Sequence, residues 1–367
     1  MRIGFDARMI AHSGIGTYIR SLLEELIPLG NNHTFVLFGP EHLLKNFEFQ
    51  NKNVEIIHTE HPIYSLQEQF FHPVMKEKLD VYHVPHYNIP ILYRGKLVVT
   101  LHDLNHLIMP EFLPNRWAYP YAKFMINKAY HRAHQMICVS QATQNDLVEF
   151  YGENGNNVSV IHESVRPEFL YEIPEEDKIK IRTRYRLPQH YILSVGILKP
   201  HKNVMRLIKI IRDLRKEGFT KQSLVIVGKR FEKHPEILVE IHKGEQEGFI
   251  RHLENIPAQD LPAIYQMADI FAFISLHEGF GLPILEAFAS EIPVLASDVS
   301  SIPEVAGKGA MLVDPTDDIQ IKKCLARLLS DENLRKEFAA KGMSELSRFS
   351  WKKAASETLK VYEDAAK

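Results

Sequence analysis

Two glutamates flank a glycine-rich turn in the sequence His-Glu-Gly-Phe-Gly-Leu-Pro-Ile-Leu-Glu, which occupies positions 277–286. Glu278 precedes the turn and Glu286 follows it. The apolar run at 270–274 is typical of a buried strand, and Pro283 suits the first turn of a helix because its missing N–H would have no partner there. We therefore predict a loop that carries Glu278 and a helix with Glu286 in its opening turn.

This arrangement suits a diphosphate that joins two sugars. A helix start offers unpaired N–H groups and the positive end of a dipole, and Gly279 and Gly281 let a ligand approach the backbone. A carboxylate on each side can accept hydrogen bonds from the hydroxyls of a ribose or a pyranose, each worth about 1.5–3 kcal/mol. The alternative is an ordinary strand-to-helix turn in which Glu286 only complements the helix dipole.

The turn and its two glutamates resemble the Glu-x7-Glu signature of the family 4 retaining glycosyltransferases, and the resemblance continues through positions 287–289. It implies that Glu286 binds the ribose of a nucleotide-sugar donor and that Glu278 takes part in catalysis at the transferred sugar. The intervening residues implied to bind the donor are Gly279, Phe280, Gly281 and Leu282.

A cationic loop follows the apolar run at 191–195. A lysine placed there would stabilise the charge that develops on a leaving diphosphate, and the alternative is a solvated loop without a ligand. The resembled family usually has an arginine and a lysine in this loop. Lys202 matches the catalytic lysine, but His201 stands where the arginine is expected, so either a protonated His201 or Lys199 would supply the second charge.

Three other loops also match the family. His102 follows the apolar run at 97–101, and the resemblance implies a catalytic position near the donor sugar; the alternative is a structural histidine. Ile256 lies where relatives place backbone groups against the nucleobase. Gly14 and Gly16 form a turn that resembles the acceptor-side loop of these enzymes, and we include both in the predicted donor-binding set.

Composition narrows the class of protein. The chain has 367 residues, of which 45% are hydrophobic and 25% charged, with a formal net charge of −2. These values fit a two-domain globular protein and predict no nucleic-acid partner. The N-terminal sequence lacks the pattern of a signal peptide, the two cysteines are far apart, and no apolar run approaches the roughly 20 residues of a membrane span. We expect a cytoplasmic protein, with attachment to the inner face of the membrane left open.

Metal-binding patterns are weak. His83-x-x-His86 and His102-x-x-x-His106 belong to no Cys/His framework and to no His-Glu-x-x-His motif. The sequence also has no Asp-x-Asp element to hold a metal against a sugar diphosphate. We therefore expect no metal and no other cofactor, the nucleotide sugar being a substrate.

Apolar runs alternate with helical or polar stretches along the whole chain, which predicts parallel sheets covered by helices. A break at 162–174 divides the chain. The predicted strands are 3–6, 35–38, 54–57, 81–84, 97–101, 136–139 and 158–161 before the break, and 191–195, 223–227, 249–253, 270–274, 293–296 and 311–313 after it.

The resemblance covers nearly the whole chain and implies an α/β fold of the GT-B type, with two Rossmann-like doubly wound domains that face a cleft. Residues 1–165 would form the acceptor-side domain and residues 175–348 the nucleotide-sugar domain. A last helix, at about 350–367, would pack back on the first domain. The segment 116–124 mixes aromatic and basic residues, which fits either membrane contact or a helix with a solvated basic face.

The predicted activity is retaining transfer of a hexose to a glycan or a lipid-linked glycan. The stretch 297–305 resembles mannosyltransferase-like members, so we predict GDP-mannose as the donor. No nucleophile emerges from the motifs, which favours same-face attack, and His102 is the one plausible base. The alternatives are a UDP-sugar-dependent enzyme, a phosphorylase or epimerase of the same fold, and a non-catalytic sugar-binding protein that closes around its ligand.

Overall fold

The computed structural model describes residues 1–45, 53–59, 61–113, 115–152 and 157–367, and it divides into two compact units. The first unit comprises Met1–Glu163 and Ser350–Lys367, and the second comprises Ser164–Phe349. Within the described ranges, none of the helices has the length and apolar character needed to cross a membrane.

The first unit is built on a seven-stranded parallel sheet. Its strands are β1 (Arg2–Asp6), β2 (Thr34–Gly39), β3 (Val54–His58), β4 (Val81–Val84), β5 (Leu97–Leu101), β6 (Gln135–Cys138) and β7 (Asn157–Val160). Their order in the sheet is β3-β2-β1-β4-β5-β6-β7, so the chain order reverses between β1 and β4. Ligands of open parallel sheets bind beyond the carboxyl ends of the strands at such a reversal.

Helices cover this sheet. They are α1 (Ile15–Leu29), α2 (Glu41–Leu44), α3 (Leu66–Phe71), α4 (Asn105–Ile108), α5 (Ala118–Arg132) and α6 (Gln141–Tyr151). In α1 the apolar residues recur at helical spacing, and Ile19, Leu22 and Leu26 are buried in the core. The helix already begins at Ile15, so Gly16 lies inside it and not in the turn before it. A Cβ at Gly16 would lie 2.6 Å from the carbonyl oxygen of Ile10, so this position has a packing reason to be glycine, and its contact with a donor stays a prediction.

The second unit has a six-stranded parallel sheet. Its strands are β8 (Tyr191–Val195), β9 (Ser223–Val227), β10 (Ile250–Leu253), β11 (Ile270–Phe273), β12 (Val294–Ser297) and β13 (Ala310–Val313). Their order is β10-β9-β8-β11-β12-β13, which reverses between β8 and β11. The helices are α7 (Glu175–Tyr185), α8 (Val204–Lys216), α9 (Pro235–Gln246), α10 (Leu261–Gln266), α11 (Leu282–Ala289), α12 (Ile302–Ala306), α13 (Asp318–Ser330) and α14 (Glu332–Glu345).

Every predicted strand is present, and no bound differs from the prediction by more than one residue. The reason is that a strand of a parallel sheet is buried on both faces and therefore appears in the sequence as a short apolar run. In β8, for example, Ile192 and Leu193 point to opposite faces and both are fully buried.

The last helix, α15 (Trp351–Ala366), belongs to the first unit. Ser350 caps its start by accepting a hydrogen bond from the N–H of Lys353. Trp351 and Tyr362 are buried in the same core as α1, and the Tyr362 hydroxyl lies 2.6 Å from Nδ1 of His83. Apolar packing and one buried polar contact thus hold α15 on the first sheet.

Candidate active site

Two loops leave the second sheet side by side at the point where its strand order reverses. They follow β8 and β11, which are parallel hydrogen-bonded neighbours. The N–H of Leu276 donates to the carbonyl of His201 (2.7 Å), and the side-chain amide of Asn203 donates to the carbonyl of Ile274 (3.1 Å). These bonds hold together two loops that the sequence predicted to bind one donor.

An ion pair joins the two loops. Lys202 Nζ lies 2.6 Å from Glu278 Oε1, and the side chains of the two residues are 18% and 11% exposed. The ammonium also lies 5.2 Å from the centre of the Phe273 ring. Gly196 packs against the lysine, since a Cβ there would lie 3.3 Å from its Cε. The structure therefore brings together the predicted phosphate-binding lysine and the predicted sugar-binding glutamate.

The other two basic residues of the first loop have different surroundings. His201 lies in the 3₁₀ turn Pro200–Lys202 and is buried. The Lys199 ammonium lies 5.9 Å from the centre of the Phe231 ring, in the loop after β9. Which of them replaces the family arginine stays a prediction.

Two serines hold the backbone of the second loop. The N–H of Glu278 donates to Ser300 Oγ (2.9 Å). The buried hydroxyl of Ser301 lies 3.0 Å from the Glu278 carbonyl and 2.7 Å from the Phe280 carbonyl, and its proton is shared between them. These contacts fix the position from which the Glu278 carboxylate reaches Lys202.

Helix α11 starts directly after this loop. Gly281 is its N-cap, with φ of 114°, a conformation that strongly favours glycine. The Phe280 side chain is buried and packs edge-to-face on Phe349, with ring centres 5.8 Å apart. Any ligand contact by Phe280 therefore falls to its backbone. Gly279 lies two residues before the N-cap and Leu282 directly after it, and their contacts with a donor stay predictions.

Glu286 is the fifth residue of α11, so it lies in the second turn and not in the opening turn that we predicted. A carboxylate this far along the helix gains less from the dipole, which weakens the alternative of simple dipole complementation. The Tyr265 hydroxyl donates to Glu286 Oε2 (2.8 Å). Burial raises the pKa of Glu286, while the charge of Arg166 and the hydrogen bond from Tyr265 act in the opposite direction.

Two other predicted donor residues lie in loops. Ile256 follows β10, next to Asn255 with its φ of 54°. Gly14 is the N-cap of α1, with φ of 58°, and a Cβ there would meet nothing within 4 Å. Both present backbone groups near the carboxyl ends of strands, and their contacts with a donor stay predictions.

His102 follows β5 in the first unit and is held on several sides. Its Nδ1 lies 3.1 Å from Glu163 Oε1, its Nε2 lies 3.2 Å from the carbonyl oxygen of Pro85, and the Tyr18 ring packs edge-on against it. In a neutral imidazole one ring nitrogen donates a hydrogen bond and the other keeps its lone pair. These contacts fix the orientation of the His102 ring, and its predicted catalytic role stays a prediction.

A buried cluster lies at the reversal point of the first sheet. Asp6, Glu68 and His86 form the one group among the described residues with metal-type ligand atoms close together. Arg8 already bridges the two carboxylates, with Nη2 2.5 Å from Asp6 Oδ2 and 2.5 Å from Glu68 Oε1. Although burial opposes it, the charge of Arg8 holds the pKa of Asp6 well below its usual range. A metal ion would have to displace this guanidinium, so we assign the cluster a structural role.

Comparison with known proteins decides the family. The family model described as Glycosyltransferase Family 4 matches residues 12–169, and the model described as Glycosyl transferases group 1 matches residues 175–344. The chain belongs to the family 4 glycosyltransferases.

Relatives of this glycosyltransferase include two mannosyltransferases of Escherichia coli. O-antigen chain mannosyltransferase B is 28% identical over 283 residues, which are 77% of this chain and 74% of that protein. The serotype-specific mannosyltransferase WbdA is 30% identical over 283 residues, 74% of this chain, but the match spans only 33% of WbdA's length. The glycosyltransferase is thus similar to part of WbdA and to most of the first relative.

The fold also matches a solved structure. The crystal structure of Anabaena HepE in complex with UDP and glucose aligns with 98% of each chain at a TM-score of 0.76 and 20% sequence identity. This likeness confirms the predicted two-domain GT-B fold. At this level of identity it carries no information on the substrate.

Several residues that contact the predicted site residues of each unit were missed from the sequence. They are Glu163 beside His102, Tyr265 and Arg166 near Glu286, and the clamp formed by Ser300 and Ser301. None belongs to a motif with characteristic spacing, and each partner is distant along the chain. The one available signal was the family-like stretch 297–305, which we used only to choose the donor.

Proposed function

We propose that this glycosyltransferase transfers mannose, with retention of configuration and without a metal ion, from GDP-mannose to a glycan or a lipid-linked glycan. The mannosyltransferases among its relatives support the sugar. The observation that carries the proposal is the Lys202–Glu278 pair, which joins the loop after β8 to the loop that leads into α11. Glu286 lies in the second turn of α11. The second candidate is a UDP-sugar donor, the alternative that the sequence motifs leave open.

In the proposed complex the diphosphate lies at the start of α11, where the helix N-terminus and Lys202 both attract negative charge. Glu286 accepts hydrogen bonds from the ribose through the carboxylate that Tyr265 orients. Glu278 accepts bonds from hydroxyls of the sugar. The Lys202 ammonium supplies the positive charge that a metal ion would otherwise supply. This charge is already in place when the phosphate leaves.

Retention follows from the groups that are near the reacting centre in this proposal. Glu278 is paired with Lys202 and is poorly suited to act as a nucleophile. An inverting reaction needs a base on the face opposite the leaving group. We infer that the departing phosphate oxygen takes the proton of the acceptor hydroxyl on the same face of the sugar.

The test incubates the full chain with GDP-α-mannose and, in parallel, with UDP-α-glucose, using a mannose-terminated oligosaccharide as acceptor. We expect release of GDP and an α-linked product, read from the one-bond C1–H1 coupling by NMR, with the rate unchanged by EDTA. A β-linked product would overturn retention. Transfer from UDP-glucose alone would select the second donor, and a loss with EDTA that Mg²⁺ restores would overturn metal independence.

Tyr265→Phe should move the acid limit of nucleotide binding to higher pH. Ionised Glu286 accepts charge-assisted bonds from the ribose hydroxyls, which are stronger than bonds to the protonated form, and burial raises its pKa above the ordinary 4.5. Affinity therefore falls as pH decreases through the folded-state pKa. Without the Tyr265 hydroxyl the ionised form loses a stabilising bond, so this fall begins at a higher pH.

Calorimetric titration of GDP between about pH 5 and pH 8 measures this limit. The matched control is Tyr191→Phe, because the Tyr191 hydroxyl also makes a hydrogen bond, to the carbonyl of Ile264 at 2.6 Å. It should leave the limit in place. Identical acid limits in the wild type and Tyr265→Phe would mean that the tyrosine does not tune Glu286.

A membrane-bound acceptor is supported by one surface of the first unit. Helix α5 buries Met125 and Ile126 in the core and turns Phe124 outward, 49% exposed, and its N-cap residue Trp117 is 68% exposed. Arg116 lies over the Trp117 ring at 5.1 Å. The segment 115–132 also contains Lys123, Lys128 and Arg132 and has no acidic residue. Exposed rings among cations fit the headgroup layer of an anionic membrane.

Sedimentation with vesicles tests this surface. The protein should bind vesicles that contain phosphatidylglycerol, bind neutral phosphatidylcholine vesicles weakly, and dissociate as salt rises. Trp117→Ala/Phe124→Ala should reduce binding about tenfold or more, because two anchoring rings are lost. Phe219→Ala, which removes an exposed ring from the second unit, is the control. Absence of binding at low salt would favour a soluble acceptor.

A further inference from the structure

The ammonium that the proposed function assigns to the diphosphate already has an anionic partner within the protein. Lys202 Nζ is 2.6 Å from Glu278 Oε1, and both side chains are largely buried. Any anion that uses Lys202 must therefore compete with Glu278 for it. Charge-assisted bonds in such partly desolvated surroundings are strong, so the competition has a measurable effect on affinity.

The backbone around the pair is fixed. Ser300 and Ser301 hold the main chain on both sides of the Glu278 side chain. The Lys202 N–H donates to the carbonyl of Lys199 at 3.0 Å, which closes the turn that carries the lysine. Because the two charged groups are 2.6 Å apart, a phosphate that reaches Lys202 also comes close to the Glu278 charge.

The intact donor and the free nucleoside diphosphate differ in what they offer this pair. A sugar nucleotide brings phosphate oxygens for Lys202 and sugar hydroxyls that can donate to Glu278, so both members of the pair receive new partners. A nucleoside diphosphate brings more negative charge and no such hydroxyls. It takes Lys202 and leaves a largely buried carboxylate without its cation, which is costly.

We propose that Glu278 is a specificity-determining residue, which selects the intact nucleotide sugar over the free nucleoside diphosphate by competing for Lys202. This inference rests on the proposed function, because it takes the loops after β8 and β11 as the donor site. After transfer the sugar hydroxyls leave with the acceptor, and Glu278 pairs again with Lys202. That exchange promotes release of the nucleoside diphosphate, a step that limits turnover in many enzymes.

Glu278→Gln tests the proposal, since the amide keeps the shape and the ability to accept hydrogen bonds but has no charge. GDP and GDP-mannose are titrated by calorimetry into the wild type and the variant; if the wild type binds UDP instead, UDP and UDP-glucose are used. We expect the variant to bind the nucleoside diphosphate about tenfold more tightly and the sugar nucleotide no more tightly, so selectivity falls about tenfold. A gain in affinity would also show that the variant is folded.

Competition for Lys202 is distinguished from direct repulsion by a double-mutant cycle. In the Lys202→Ala background, Glu278→Gln should improve nucleoside diphosphate affinity less than about threefold. A full tenfold gain there would show that Glu278 repels the phosphate directly and would overturn the proposal. Glu240→Gln is the control, because it removes a carboxylate paired with Arg212 and Lys243 elsewhere in the unit.

The remaining outcomes separate this inference from the proposed function. Binding of GDP or UDP that is unchanged or weakened by Glu278→Gln would overturn the selectivity role alone and leave the donor site in place. Failure of the wild type to bind GDP, UDP and both sugar nucleotides would overturn the donor site and this inference with it.

Discussion

Lys202→Ala should lower kcat by about 100- to 1000-fold, the range found when one preplaced donor to a developing anion is removed. The ammonium is most needed when the bond to the sugar breaks and negative charge grows on the phosphate oxygen. KM should change less than kcat. Removing the lysine also leaves Glu278 without its partner, so a modest loss of thermal stability is expected, and the rate must be measured well below the melting temperature.

Single-turnover rates at saturating donor measure this effect without the contribution of product release. Lys209→Ala is the matched control, since that lysine lies in α8 and pairs with Asp318 at 2.7 Å. Lys199→Ala should cost less than about threefold, because its ammonium lies against Phe231. An equal loss in Lys199→Ala would identify Lys199 as the second phosphate cation. A folded Lys202→Ala variant with the wild-type rate would refute the assignment.

The strands and helix starts were predictable because they depend on local patterns. Parallel strands appear as apolar runs, and Pro283 marks the first turn of α11. The errors at helix starts are small shifts with clear causes. Gly14 takes the N-cap with its positive φ, which places Gly16 inside α1. Helix α11 begins at Leu282, which moves Glu286 into its second turn.

The ion pair at the centre of the site was not predictable from spacing. Lys202 and Glu278 are 76 positions apart, and they meet because β8 and β11 are neighbours in the sheet. Strand order is a property of the whole domain, and the motifs gave only the two loops separately. Tyr265 and Ser301 act through single hydroxyls, and nothing in the type or spacing of those residues indicates a partner.

Removing the charge of Glu286 should weaken nucleotide binding without lowering the stability of the fold. Glu286→Gln should weaken nucleoside diphosphate binding by roughly 1.5–3 kcal/mol, because charge-assisted bonds to the ribose hydroxyls become neutral ones. Tyr265 can still donate to the amide oxygen, so the side chain keeps its position. In this variant the acid limit of nucleotide binding expected for Glu286 should also disappear.

Stability should change in the opposite direction from binding. Burial raises the pKa of Glu286, which means that the folded state favours the protonated carboxyl over the ionised one. The stabilising contribution of this group is present below the unfolded pKa and is lost as pH rises through the folded pKa. At neutral pH the ionised carboxylate is therefore a cost, and Glu286→Gln should melt at the same temperature as the wild type or higher. The advantage should shrink as pH falls and Glu286 takes up a proton.

Paired titrations and melting curves at neutral and acid pH distinguish the explanations. Glu291→Gln, an exposed substitution just after α11, should change neither quantity. If Glu286→Gln binds the nucleotide as tightly as the wild type, Glu286 is only a charged residue of the helix and does not bind the ligand. Lost affinity together with a lower melting temperature would indicate structural damage. Lost affinity with equal or higher stability is the result expected of a binding site, in which a partly buried charge is kept for its ligand at a cost to the fold.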